Sequence, residues 1–147
     1  MARVKMLSIA HTVASLQEMS AGPTYSVPSL AQAQAGLCSD VSLHSVLGSE
    51  RFGGPNLTDY RYAKDMAKVP VLGRLWLSSS MSRALTAANH DIVHTHGLWL
   101  APNVYGSASG RFVIAPRGML SDVALSYSPG KKWMIRKLFQ DEAFSRA

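Results

Sequence analysis

Four short apolar runs, each separated from the next by enough chain to hold a helix, restrict what this sequence can fold into. They are Val4–Ala10, Val41–Leu47, Ile92–Thr95 and Phe112–Ala115. Runs of this length with β-branched members suit strands buried on both faces of a sheet. A polar, turn-rich stretch, Ser15–Pro23, follows the first run. A helix is then expected, starting between Thr24 and Pro28 because proline is tolerated only in a first turn. It continues through Leu30, Ala31 and Gln34 to a stop at Gly36. Gly73–Ala88 predicts a second helix, with Leu77, Met81, Leu85 and Ala88 at helical spacing. Pro102 opens a short helix ending near Gly110, and Lys131–Arg146 forms a last one. Ser49–Tyr62, with Gly53-Gly54-Pro55-Asn56, reads as a long surface loop. The order β-α-β-α-β-α-β-α predicts a Rossmann-like α/β fold, a parallel sheet with helices on both faces.

At 147 residues, 47% hydrophobic and 16% charged, the chain is the size of one domain with a real core, not a disordered segment. Its formal charge of +6 suits an anionic partner. The bases are scattered except near the C-terminus and do not interleave with aromatics, so nucleic acid is not indicated. Cys38 is the only cysteine, which excludes an intrachain disulfide and a cysteine-rich zinc site. No apolar run is long enough to span a membrane. Arg3 and Lys5 precede an apolar stretch as in a signal peptide. However, His11 interrupts it and no small-x-small cleavage site follows, so a buried first strand and a cytoplasmic location are expected. In the last helix Met134, Ile135, Leu138 and Phe139 share one arc, with Lys132, Arg136, Lys137 and Gln140 opposite. That pattern covers a sheet with its apolar side and leaves a basic face that an anionic membrane surface would attract.

Two strand ends carry the candidate chemistry. Asp91–Trp99 and Phe112–Leu120 each run from an apolar strand into polar side chains and a glycine, and open α/β sheets bind ligands beyond the carboxyl ends of their strands. His94 and His96 lie two apart and so share a face. A metal would need a third ligand, which the sequence does not mark, since His11, His44 and His90 are widely spread. General-base or hydroxyl-binding work suits a histidine there, with a satisfied core histidine the alternative for His94. Gly97 permits close approach of backbone and ligand. Trp99 is either core or an apolar wall against a sugar face. Arg117 offers a fork for phosphate or carboxylate, or else a surface salt bridge with Asp122. The turn Ala21-Gly22-Pro23 lets backbone N–H groups approach a phosphate at a helix start, or is simply a tight turn. There is no Gly-x-Gly-x-x-Gly and no P-loop lysine.

The turn Gly22-Pro23-Thr24-Tyr25-Ser26-Val27-Pro28, the segment Asp91–Trp99 with Pro102-Asn103, and Pro116-Arg117-Gly118-Met119-Leu120 resemble family 4-like glycosyltransferases in order and rough spacing. Lys131-Lys132 through Phe144 and Arg146-Ala147 resembles the helix that follows in that family. The resemblance implies a GT-B architecture of two Rossmann-like domains, of which this chain corresponds to the N-terminal, acceptor-side one. It implies a retaining transfer from a nucleotide-sugar to a glycan or lipid-linked acceptor in polysaccharide assembly, with no metal or other cofactor. By the same resemblance His96 and Arg117 are catalytic, and Gly22, Pro23, Tyr25, His94, Gly97, Trp99, Gly118 and Met119 contact acceptor or phosphate. The chain departs from the family in having Ala21-Gly22 for Gly-Gly and a shorter helix between Trp99 and Phe112. Arg117 stands where many relatives have histidine, as in a subgroup sharing Pro-Arg-Gly-Met. The chain stops before the remaining N-terminal strands and the donor domain with its E-x7-E motif. It is therefore expected to be inactive alone, with a separately encoded donor domain as a candidate partner at the inner face of the membrane. The alternatives are a non-catalytic glycan- or partner-binding remnant and a flavodoxin-like or dinucleotide-binding domain.

Overall fold

The computed structural model describes residues 6–17, 22–37, 40–47 and 52–147. Five strands form one sheet: β1 Ser8–Val13, β2 Asp40–Val46, β3 Leu57–Tyr62, β4 Ile92–His96 and β5 Arg111–Ala115. Their order is β3-β2-β1-β4-β5 and every pairing is parallel. Helices cover both faces, as the alternation of runs requires. On one face α1 (Gly22–Ala35) packs Val27, Ala31 and Ala35 against Ile9, Val13, Val41, Leu43 and Leu57. On the other, α2 (Ser79–Ala87) packs Met81 and Leu85 against Ala10, Val46, Val93 and Phe112. Each buried Val, Leu, Ile, Met or Phe among them contributes about 1.5–3 kcal/mol of transfer free energy. The period-2 alternation therefore turns Ile9, His11 and Val13 toward α1, and Ala10 and Thr12 toward α2.

Several expectations need correcting. Residues 57–62 are not loop but β3, in register with β2 from Val41↔Leu57 to Val46↔Tyr62. The Gly-Gly-Pro-Asn turn before it dominated the reading, although Thr58, Tyr60 and Tyr62 favour a strand. β1 runs on through His11 to Val13, while Val4 lies outside the described residues. α1 begins at Gly22 and carries Pro28 in its body, buried. The ring costs one backbone hydrogen bond there, which the packing of Val27 and Ala31 outweighs. Gly73–Ala88 is not one helix. A 3-10 turn at Leu72–Leu75 ends at Trp76 (φ 56°), and α2 starts only after Ser78, whose side chain accepts from the Met81 N–H. The stretch after Pro102 is two 3-10 turns, Ala101–Asn103 and Tyr105–Ala108.

The C-terminal region holds α3 (Asp122–Ser126), which the sequence reading missed, and α4 (Pro129–Ile135). α4 continues through a π turn, Arg136–Gln140, into α5 (Asp141–Ser145). Its inward side is not the predicted apolar arc. Gln140 and Ala143 are fully buried, while Leu138 is 66% exposed. Gln140 turns inward because its Oε1 accepts the backbone N–H of Trp99 at 3.1 Å.

Candidate functional site

The strand order reverses direction between β1 and β4, so the chain leaves the carboxyl ends of these neighbours on opposite sides. That divergence opens a crevice of about 270 Å³. Its walls come from the end of β1 (Val13, Ala14, Ser15), the start of α1 (Pro23), Trp76, the end of β4 (His96, Gly97) and three later residues, Leu100, Asn103 and Met119. Stretches far apart in sequence thus meet at the place where open α/β sheets bind ligands.

Behind the crevice lies a chain of hydrogen bonds. Arg117 donates to His96 Nδ1 through both Nε (3.3 Å) and Nη2 (2.9 Å), and through Nη1 to Ser26 Oγ of α1 (3.0 Å). His96 Nδ1 must therefore carry its lone pair, which puts the proton of the neutral ring on Nε2. That N–H faces His11 Nδ1 at 2.9 Å, and His11 Nε2–H is left to donate to Gln34 Oε1 at 2.6 Å. One set of tautomers satisfies the whole line from Gln34 to Arg117. Burial, reinforced by the neighbouring histidines and Arg117, pushes His96 down to about 2. Burial likewise lowers His11 to about 4, outweighing its bond to Gln34. Both rings are neutral at pH 7. His94, only partly buried, packs its ring 4.2 Å from that of His96 and 5.3 Å from that of His11. Burial lowers its pKa too.

Of the residues singled out from sequence, Pro23, His96, Gly97 and Met119 line the crevice, and His94 and Arg117 adjoin it through His96. Met119 Sδ accepts the Leu98 N–H at 3.1 Å. Gly22, at the start of α1, is exposed, and Tyr25 is 57% exposed on that helix. Trp99 (φ 69°) turns away, toward the C-terminal helices, where it meets Trp133 and Phe144 across a separate cavity. Arg117 (φ 53°) and Gly118 (φ 77°) form a left-handed turn that directs the guanidinium back over β4. Among the described residues Arg117 makes no ion pair with Asp122; His96 and Ser26 take that place.

Two residues of the site were named from the sequence but not singled out as site residues. His11 stands on the strand next to the histidine pair, a neighbour that linear order hides. Asn103 is 1% exposed, lines the crevice, and leaves its Oδ1 without a hydrogen-bond partner. Gly97 has φ +104°, and a Cβ there would stand 3.2 Å from Asn103 Nδ2 and 3.4 Å from Met119 Cε. Gly97→Ala is therefore expected to cost about 1–3 kcal/mol through backbone strain and crowding. Denaturant titration checks this, and a loss below about 0.5 kcal/mol would count against a strained turn. No protein-family model and no curated protein matches this chain.

Proposed function

We propose that the chain is the acceptor-side domain of a retaining glycosyltransferase that moves a sugar from a nucleotide-sugar to a glycan or lipid-linked acceptor in polysaccharide assembly. One observation carries this reading. The turn at Gly22-Pro23, the His96-Gly97 strand end and the Arg117-Gly118-Met119 turn, the stretches of the family resemblance, converge on the crevice between β1 and β4. Glycosyl transfer needs an acceptor hydroxyl held in place and a leaving diphosphate neutralised. Gly97 and Asn103, which line the crevice, serve the first. Arg117, held at the N-terminal end of α1, serves the second, since the helix start adds its own partial positive charge. His96, with both ring nitrogens engaged, aims the guanidinium.

The crevice is smaller than the roughly 300–1,000 Å³ of pockets that enclose a drug-sized ligand. That size suits half of a cleft completed by a donor domain. The sequence holds no E-x7-E motif, so the purified 147-residue chain is expected to show no transferase turnover. A donor domain packed against the C-terminal helices is favoured by the exposure of Trp133 and Leu138, 66% each. Peripheral attraction to an anionic membrane is weakened where Arg136 and Lys137 pair with Asp141. Among the described residues no helix is long and apolar enough to cross a membrane.

A dinucleotide- or flavin-binding domain is the second reading, favoured by the same strand order. A thermal-shift screen against UDP- and GDP-sugars, NAD and FMN separates the two. The proposal expects stabilisation by a nucleotide-sugar, weakened about tenfold in apparent affinity by Arg117→Ala. A response to NAD or FMN alone would overturn it, and turnover of a nucleotide-sugar by this chain would refute only the expectation that it is inactive alone.

A further inference from the structure

Two adjacent strands gather three imidazoles on one face. His11 on β1 and His94 on β4 are register partners, and His96 follows on the same side of β4. One ring nitrogen from each lies within 4.8 Å of the others. The facing atoms of the closest pair, His11 Nδ1 and His96 Nε2, are 2.9 Å apart. Both strands lie inside the sheet, so backbone pairing rather than a loop holds this spacing. His94 makes ring contacts but no hydrogen bond among the described residues, and solvent reaches the cluster from its partly exposed side. Gln34 Oε1 accepts from His11 Nε2–H. A partner of this kind orients ligating imidazoles in metal sites by fixing which nitrogen keeps its lone pair. No carboxylate belongs to the cluster.

The geometry points to a binding site for one divalent transition-metal ion of the zinc class, ligated by His11 Nδ1, His96 Nε2 and His94. An all-imidazole set suits zinc, copper or nickel, whereas calcium and magnesium prefer oxygen ligands. Three protein nitrogens leave a fourth position open, as in catalytic rather than structural zinc sites. Neutral ligands leave the ion's charge uncancelled, so that position favours an anionic oxygen such as hydroxide, phosphate or carboxylate. Zinc–nitrogen distances of about 2.0–2.1 Å ask the facing pair to open only slightly toward tetrahedral spacing.

Arg117 opposes the ion directly. Its N–H groups hold His96 Nδ1 as an acceptor and so keep the ring proton on Nε2, the atom a metal needs. Binding moves that proton to Nδ1 and releases Arg117 from His96. No proton is lost and the guanidinium keeps its bond to Ser26. Metal and guanidinium therefore compete for one imidazole. This site does not depend on glycosyl transfer and stands or falls by metal binding alone.

The test titrates the EDTA-stripped 147-residue protein with Zn²⁺ against a chromophoric chelator, and with Co²⁺ followed by visible absorption. One equivalent should bind, with the intense cobalt bands of a four-coordinate site. His94→Ala, which leaves the His11–His96 bond intact, should weaken binding about tenfold or more, and Gln34→Leu about tenfold. Arg117→Gln should tighten it about threefold or more, because a competing cation and donor are gone. His90→Gln, at the far end of β4, should bind as wild type. Circular dichroism establishes that each variant is folded. Less than half an equivalent bound by wild type, unchanged affinity in His94→Ala, or weaker binding in Arg117→Gln would overturn the site. A nucleotide-sugar response that survives any of these results leaves the functional proposal untouched.

Discussion

Metal-free protein is expected to lose a large part of its stability between pH 6.5 and 4.5. His11, His44 and His96 are 0%, 2% and 2% exposed. Burial is the main force on all three, holding them at about 4, 3 and 2. His44 is further opposed by His90 and His11, and it has both nitrogens bonded, to the Tyr62 hydroxyl at 2.8 Å and Ser42 Oγ at 2.9 Å. In the unfolded chain each histidine returns to about 6.5. Above that value both states are neutral and the full stability is present. As pH falls, the unfolded chain takes up protons that the folded one refuses, and stability drains away toward the folded values. At pH 5 the difference is about 2 kcal/mol for each histidine. Three such groups together reach about 4–6 kcal/mol, against a typical total of about 5–15. Thermal melts in EDTA at pH 7.5 and 5.0 should differ by about 12–20 °C in Tm. His44→Gln, which removes one of the three, should shrink that difference by about a third. A Tm that stays level over this range would mean the rings are not buried neutral.

These histidines mark the boundary of what the sequence discloses. The parallel sheet, the positions of β2, β4 and β5, and the shared face of His94 and His96 follow from local pattern, because apolar runs and the period of two are local properties. His11 does not. A polar residue in an apolar run looks like an interruption, and here it is strand because Gln34 and His96 satisfy it from 23 and 85 residues away. The metal-like cluster stayed hidden for the same reason, since strand order decides that β1 and not β2 lies beside β4. Arg117 was legible as a functional candidate from its place at a strand end. Its partners were not, because the left-handed turn at Arg117-Gly118 sends the side chain backward. Gln140 shows the converse error. Apolarity alone assigned it to the solvent side of its helix, yet one backbone N–H at Trp99 draws it into the core. β3 was lost to a strong turn signal immediately before a strand whose aliphatic content is low.

Gly106→Ala is expected to be among the most damaging single-methyl changes in the chain, costing about 3 kcal/mol. Gly106 sits in the 3-10 turn after Tyr105, buried against the α2 side of the sheet. A Cβ at that position would lie 2.3 Å from Val93 Cγ1, 3.1 Å from Val93 Cβ and 3.3 Å from Phe112 Cε2. None of these atoms can retreat cheaply. Val93 is fully buried on central β4 with a branched side chain that has little rotamer freedom, and Phe112 is packed in the same core. The turn must therefore lift off the sheet, and it carries Tyr105, whose hydroxyl accepts the Ser78 N–H at the start of α2. Strain at one glycine thus reaches the helix that covers this face. Val93→Ala removes both γ-methyls and on its own costs a cavity, about 1–3 kcal/mol. In the double variant the new methyl occupies part of the space that Val93 vacates. The two changes should then be non-additive, with the double variant more stable than the sum of the singles predicts by about 1–2 kcal/mol in urea titrations. Simple additivity would show that the turn and β4 do not press on each other, and that Gly106 serves the backbone rather than the packing.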